Sequence, residues 1–201
     1  MKSYWENPEY FSKSRRWYIL ASKSPRRSEL LRQAGVEFEV VVSDADEAVS
    51  SDCTPSEMVM IVAERKARAV FAENMSRSII SADTAVCLDG EIFGKPKSEN
   101  EAKEMLKRLS GRTHQVYTGV CVLFADGAKE LFCEQTAVTF SRLSEEEIAA
   151  YVSTGEPMDK AGAYGVQGRG ALFVERIDGD YYNVMGLPIH RLNQVLKGHK
   201  M

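Results

Sequence analysis

Residues that commonly build metal and redox centres are scarce in this chain. Its 3 histidines, His114, His190 and His199, are too scattered for a metal triad or a Ser/His/Asp hydrolase. Its 4 cysteines, Cys53, Cys87, Cys121 and Cys133, form no CxxC pair. That argues against a zinc site and a disulfide framework and predicts buried free thiols in a reducing compartment. No apolar run approaches the roughly 18 residues of a membrane span. The segment 1–16 is polar and aromatic, lacks the apolar core of a secretion signal, and reads as an N-terminal extension. Against 26 Lys and Arg stand 29 Asp and Glu, a net charge of -3. This excludes the basic field of a general nucleic-acid or membrane-surface binder. The expectation is a cytoplasmic protein with one domain over 17–201, long enough to bury a proper core.

Two familiar phosphate signatures are missing as well. Gly90-Glu91-Ile92-Phe93-Gly94-Lys95 is one residue short of a Walker loop and is followed by Pro96. The glycines at 162, 165, 168 and 170 reverse the spacing of the dinucleotide fingerprint. A different anion signature is present. Trp17 to Ala21 reads as a short buried strand, and Leu30, Leu31 and Ala34 recur at helical spacing before Gly35. Between them lies Ser22-Lys23-Ser24-Pro25-Arg26-Arg27, with Ser24 suited to the N-cap and Pro25 to the first helical turn. Free amides, the helix dipole and two guanidinium forks favour a phosphate there. Solvated first-turn arginines are the competing reading, although cations oppose the dipole at that end.

Strands are expected at 36–42, at 78–88 with an Asp89-Gly90 turn returning through Ile92-Phe93, and at 113–125 and 128–141 around Asp126-Gly127. Further strands are expected over Ala171–Ile177 and Tyr181–Val184. Helices are expected from Pro55 to Phe71, after the capping patterns Ser98/Glu101 and Ser144/Glu147, and from Leu187 to Leu196. Alternating elements followed by hairpins predict one α/β domain with a mixed sheet and a cleft between two lobes.

Polar residues at strand ends carry the chemistry. Asp83 interrupts an apolar run, where a carboxylate costs several kcal/mol unless paired or bound to a cation. It reads either as a structural aspartate held by backbone amides or as a metal ligand or proton acceptor. Asp46 and Glu47 follow a strand and could join it around a hard cation, whereas Asp44 reads as solvated. Lys66, within Glu64-Arg65-Lys66-Ala67-Arg68, reads locally as part of an exposed charged helix face. Lys95 is held between Gly94 and Pro96 and offers a point charge to phosphate. Gln167 presents an amide that both donates and accepts, as recognition of a base edge requires.

Eight motifs then occur in order. They are Ser22-x-Ser24-Pro25-Arg26-Arg27-x-x-Leu30-Leu31, Ala63-x-x-Lys66-Ala67, Ala82-Asp83-Thr84, Gly94-Lys95-Pro96 and Leu109-Ser110-Gly111. His114-x-Val116-x-Thr118, Ala161-Gly162-x-Tyr164-Gly165-x-Gln167-Gly168 and Val184-Met185-Gly186-Leu187-Pro188 follow. Together they resemble the Maf family of nucleoside triphosphate pyrophosphatases over about residues 17–197. The resemblance implies the inosine-triphosphate pyrophosphatase fold, an α/β architecture whose long twisted mixed β-sheet with flanking helices forms two lobes around a nucleotide cleft. It implies hydrolysis between the α and β phosphates, assisted by a divalent metal cation, Mg²⁺ or Mn²⁺. Asp83 would activate the water, Ser22, Arg27, Lys66 and Lys95 would line the phosphate channel, and Glu47 would help Asp83 hold the metal. A homodimer is implied only in this way.

Three positions mark the substrate. The branch of the family acting on dTTP and UTP carries the residues found here as Arg26, Thr84 and Gln167. The branch acting on 7-methyl-GTP typically has tryptophan and glutamine in place of the first two. A cationic methylated guanine favours an aromatic face and would be repelled by Arg26. The alternatives are a purine-directed enzyme of the same fold, or a nucleotide-binding regulator, since family members are associated with arrest of septation. One departure concerns Ser81, where most relatives have glycine.

Overall fold

In the computed structural model, which describes residues 17–50 and 52–199, the chain begins with a doubly wound unit. β1 (Tyr18–Leu20) leads into α1 (Pro25–Gln33), β2 (Phe38–Val40), α2 (Pro55–Phe71) and β3 (Ser78–Leu88). β1 lies between β2 and β3 and is parallel to both. Its two helices pack on opposite faces. Leu30 and Leu31 of α1 join Leu20, Ile80 and Ala82 in one core. Ala63, Ala67 and Val70 of α2 join Ile19, Ile79 and Cys121 in another. Where strand order reverses in this way, a crevice opens beyond the carboxyl ends of the strands. Ser22 follows β1 into that crevice. β3 pairs with β1 only over Ser78–Ile80 and then runs on past it, unbroken through Asp83 and Thr84.

Hairpins extend the sheet. β4 (Glu91–Phe93) returns on β3 through Asp89 and Gly90, both at positive φ, as this two-residue turn requires. α3 (Glu99–Leu109) precedes β5 (Thr113–Leu123), which lies antiparallel to β3, and β6 (Lys129–Phe140) pairs with β5. α4 (Glu145–Val152) is followed by short 3-10 turns at Glu156–Asp159, Ala161–Ala163 and Arg169–Phe173. β7 (Val174–Asp178), α5 (Tyr181–Met185) and α6 (Ile189–Gly198) complete the described chain. The sheet has 7 strands among the described residues, in the order β2-β1-β3-β5-β6-β7, with β4 on β3. The far halves of β3, β5 and β6 carry Val86, Val116, Val138 and Phe140 into a third core with α3 and α4. This is the second lobe. Asp83 and Thr84 lie on β3 where one lobe passes into the other.

Several local expectations change. Tyr181–Val184 is not a strand but the start of the short helix α5. Asp180 caps it, its Oδ1 accepting from Tyr182 N at 2.7 Å, and Gly186 ends it at φ 108°. Arg169–Phe173 winds as a 3-10 turn, so β7 begins at Val174 rather than Ala171. Ser24 occupies the N-cap of α1 without a side-chain capping bond. Ser144 and Glu147 form the full capping box, whereas Glu101 accepts from Lys97 N instead of closing back on Ser98. Cys87 and Cys121 are buried thiols, Cys53 and Cys133 only partly so. The extension over 1–16 lies outside the described residues.

Two packing features generate tests. Gly119 lies opposite Asp83, and a Cβ there would sit 2.5 Å from the Val59 carbonyl oxygen of α2. Gly119→Ala therefore pushes α2 off the sheet. The expected loss is about 1–3 kcal/mol in denaturant unfolding. His114 is buried in the second lobe, its Nε2 2.8 Å from Tyr164 Oη and its ring edge-on to Phe140. Burial lowers its pKa from 6.5 to about 4. The unfolded chain takes up a proton near pH 6.5 that the folded chain refuses until about pH 4. Stability is therefore full above pH 6.5 and falls as pH drops through that window, by on the order of 3 kcal/mol. Unfolding measured across this range should flatten in His114→Gln.

Candidate functional site

A cleft of about 1050 Å³ opens between the lobes. Ser22, Arg26, Arg27, Glu47, Lys66, Asp83, Thr84, Lys95 and Gln167 all line it. They arrive from opposite faces of the sheet because side chains alternate along β3. Asp83 and Ser81 face α2, whereas Thr84 faces α1.

On the α1 side, Arg27 is buried and bonded through three of its nitrogens. Nε donates to Gly186 O at 2.8 Å, Nη1 to Ser22 Oγ at 3.1 Å, and Nη2 to Thr84 Oγ1 at 3.0 Å. Burial pulls this guanidinium below its ordinary pKa, and the charge of Asp83 opposes the shift. Thr118 Oγ1 donates to Asn183 O at 3.0 Å, so the hydroxyl of Thr84 donates to Thr118, also at 3.0 Å. Thr84 is thus engaged on both sides, accepting from Arg27 and donating to Thr118. Asn183 completes the frame, its Nδ2 donating to Val116 O at 3.0 Å and to Thr136 Oγ1 at 2.9 Å. Sequence reasoning missed Asn183, which is fully buried, although a lone amide among the aromatic and apolar residues of Tyr181–Met185 was a visible signal.

On the α2 side, Lys66 corrects its local reading. Its side chain is 12% exposed and turns into the cleft. Nζ lies 2.8 Å from both Asp83 Oδ1 and Glu47 Oε1. Burial raises the Glu47 carboxyl, but the bond and charge of Lys66, with Lys95 and Arg27 behind it, carry the net shift below the ordinary value. Arg65 Nη1 steadies the loop around Glu47, donating to Ala48 O at 2.5 Å and Asp46 O at 3.4 Å. Asp46 does not join Asp83. It closes a turn on Ala48 N at 2.9 Å and stays exposed, as Asp44 does.

The remaining groups stand at the rim. Lys95 makes no hydrogen bond or ion pair among the described residues, leaving its charge available to an anion. Arg26 Nη1 reaches Asp159 Oδ2 across the cleft at 3.5 Å. Gln167 is exposed, and its side chain makes no hydrogen bond among the described residues. Asp159, Lys160 and Glu156 also line the cleft and were not singled out in the sequence. They follow Gly155 in a segment whose composition signals only turns.

Cations from both faces thus surround a carboxylate pair at a strand crossover, which suits a polyphosphate. The family described as Maf-like protein matches residues 18–199. This chain belongs to the Maf family. A dTTP/UTP pyrophosphatase of Bacillus cereus (strain AH820) is 54% identical over 179 residues, 89% of this chain and 93% of that protein. Another, from Bacillus velezensis, is 52% identical over 179 residues, 89% of this chain and 94% of that protein. Among solved structures, the Staphylococcus aureus Ham1 protein gives a TM-score of 0.55 at 17% identity, covering 92% of this chain and 100% of that one. A HAM1 protein from Coxiella burnetii gives 0.50 at 16% identity, with the same coverage. Those two likenesses concern the fold alone. In the described residues no helix is long and apolar enough to cross a membrane.

The Ser81 departure has a local answer. Its hydroxyl is buried and donates to Ala63 O of α2 at 2.6 Å, away from the cleft. Ser81→Ala removes this bond without leaving an unpaired donor. It should cost about 1 kcal/mol in thermal or denaturant unfolding and leave kcat unchanged.

Proposed function

We propose that this Maf-family chain hydrolyses nucleoside triphosphates to monophosphate and pyrophosphate, with dTTP and UTP preferred, in the cytoplasm. The observation that carries the reading is the joint geometry of Arg27 and Lys66. One cation is locked into the frame by three bonds, and the other bridges Asp83 and Glu47 in the same cleft. The names of the Bacillus relatives support the substrate.

Ser22, Arg27 and Lys95, with the uncapped first turn of α1, would hold the phosphate chain and stabilise the charge that builds on departing pyrophosphate. Asp83 would orient a water and accept its proton. Lys66 fixes the carboxylate for that role, because its Nζ occupies one oxygen and restrains the rotamer. Gln167 would answer the carbonyls and N3–H of a pyrimidine, and Arg26 at the rim would exclude a cationic base. Thr84 would act through Arg27, since its hydroxyl proton goes to Thr118 and it already accepts from Arg27.

A divalent cation fits the donor set. Asp83 and Glu47 each give one carboxylate oxygen to Lys66 Nζ, so the second oxygen of each carboxylate is what would be offered to the cation. Mg²⁺ or Mn²⁺ is suited to a site of one or two carboxylates completed by phosphate oxygens and water. Bound there, it would neutralise triphosphate charge.

Pyrophosphate release from a panel of triphosphates, with the metal present and then chelated, tests the reading. Metal-dependent release concentrated on dTTP and UTP is expected. Asp83→Asn should lower kcat by about 10²-fold or more while dTTP still binds. Near-full activity in that variant would remove Asp83 from its role, and a preference for purines would overturn the substrate assignment.

A further inference from the structure

The glycine-rich passage 162–170 has the composition of a loop that cradles an outside anion, yet its amides already face one of the protein's own carboxylates. Glu156 Oε2 accepts from Arg169 N at 3.0 Å, and Oε1 accepts from Gly170 N at 3.3 Å and from Tyr151 Oη at 2.9 Å. Tyr151 Oη in turn accepts from Gly165 N at 3.2 Å. The loop is strapped at both ends by this Glu–Tyr pair.

Glycine is what admits the strap. A Cβ at Gly168 would lie 2.3 Å from Glu156 Oε1, and one at Gly170 would lie 2.8 Å from Tyr151 Oη. Lys160 closes the other side, its Nζ donating to Glu156 O at 2.7 Å and its stem passing 2.7 Å from where a Gly165 Cβ would stand. Burial raises the Glu156 carboxyl, but two amides, the Tyr151 hydroxyl and Lys160 carry it below the ordinary value. The carboxylate is therefore charged at neutral pH. Burial and the Glu156 bond push the Tyr151 phenol well up, so it remains a donor. Between the two anchors stands Gln167, exposed to the cleft with no partner of its own among the described residues. Its neighbours Gly165, Arg169 and Gly170 are each held by a backbone amide on the Glu–Tyr pair.

We infer that Glu156, with Tyr151, is a positioning residue for nucleobase selection, its carboxylate setting the loop so that Gln167 meets the pyrimidine edge. This rests on the reading of the cleft as a dTTP and UTP site. The strap works through backbone amides and would contact neither phosphate nor the reacting atoms. Its effect therefore falls on KM and base preference rather than on kcat. Glu156→Gln keeps the side-chain shape but places an amide nitrogen among N–H donors and removes the charge.

The test combines steady-state kinetics on dTTP, UTP and GTP with inhibition by inorganic triphosphate, which has phosphates but no base. In Glu156→Gln, KM for dTTP should rise about tenfold, the loss expected for one charge-assisted hydrogen bond. The dTTP-over-GTP preference should fall with it, kcat should stay within about twofold, and the triphosphate Ki should not move. Tyr151→Phe, which leaves the Glu156 amide bonds in place, should shift KM in the same direction by less, and it serves if Glu156→Gln fails to fold. A triphosphate Ki that worsens in step with KM, or an unchanged dTTP preference, overturns the proposal. Gln167→Ala separates the two levels. If it loses base preference while Glu156→Gln keeps it, the strap proposal alone fails; if Gln167→Ala keeps it, the reading of the base site fails beneath both.

Discussion

The buried guanidinium of Arg27 joins parts of the chain that are far apart in sequence. It carries a full charge into a region with little water, which is tolerable only if its donors are met. Ser22 after β1, Thr84 in the middle of β3 and Gly186 after α5 meet them. Each of those acceptors is held in turn. Thr84 is held through Thr118, and the α5 segment through Asn183, Thr118 and Thr136. The cleft wall is therefore pre-organised in the absence of any ligand, so a triphosphate arriving there has little side-chain ordering left to impose.

A second constraint comes from the alternation of β3. A strand crossing between two lobes offers consecutive residues to opposite faces. Asp83 turns to α2 and Thr84 to α1, so the carboxylate bonded to Lys66 and the hydroxyl bonded to Arg27 come from consecutive residues on opposite faces. Lys66 then settles the position of Asp83, and Gly119 on the neighbouring strand lets α2 come close enough for it to do so. The parallel first unit supplies the crevice and the hairpins supply its far wall. Neither half contains a complete site.

The glycine-rich loop shows why composition and role can part. A run of free amides is a generic anion receptor. Here the Glu156 carboxylate takes the Arg169 and Gly170 amides from within, so those two are not open to an outside anion. The same chemistry is spent on shape instead of on ligand.

Much of the fold was legible locally. Asp-Gly turns, the capping box at Ser144 and Glu147, and the helical spacing of Leu30 and Leu31 each depend on neighbours a few residues away, and each appears in the structure. Where local signals competed, the reading slipped. The Tyr181–Val184 segment is rich in tyrosine and valine, which favour strands, but the Asp180 cap and Gly186 close it into a helix. Among site residues, Arg26, Arg27 and Lys95 were visible as charges held in rigid settings. Lys66 entered only through the family resemblance, because locally a lysine in a charged helical stretch looks the same whether it faces water or a carboxylate. Its partners Asp83 and Glu47 lie 17 and 19 residues away in opposite directions along the chain. By itself the sequence determined the elements, their turns and the stock of charged groups, since these follow from short-range backbone and capping energetics. Only the tertiary structure decided which charges meet, because a buried ion or amide is satisfied by whichever group the sheet topology brings to it.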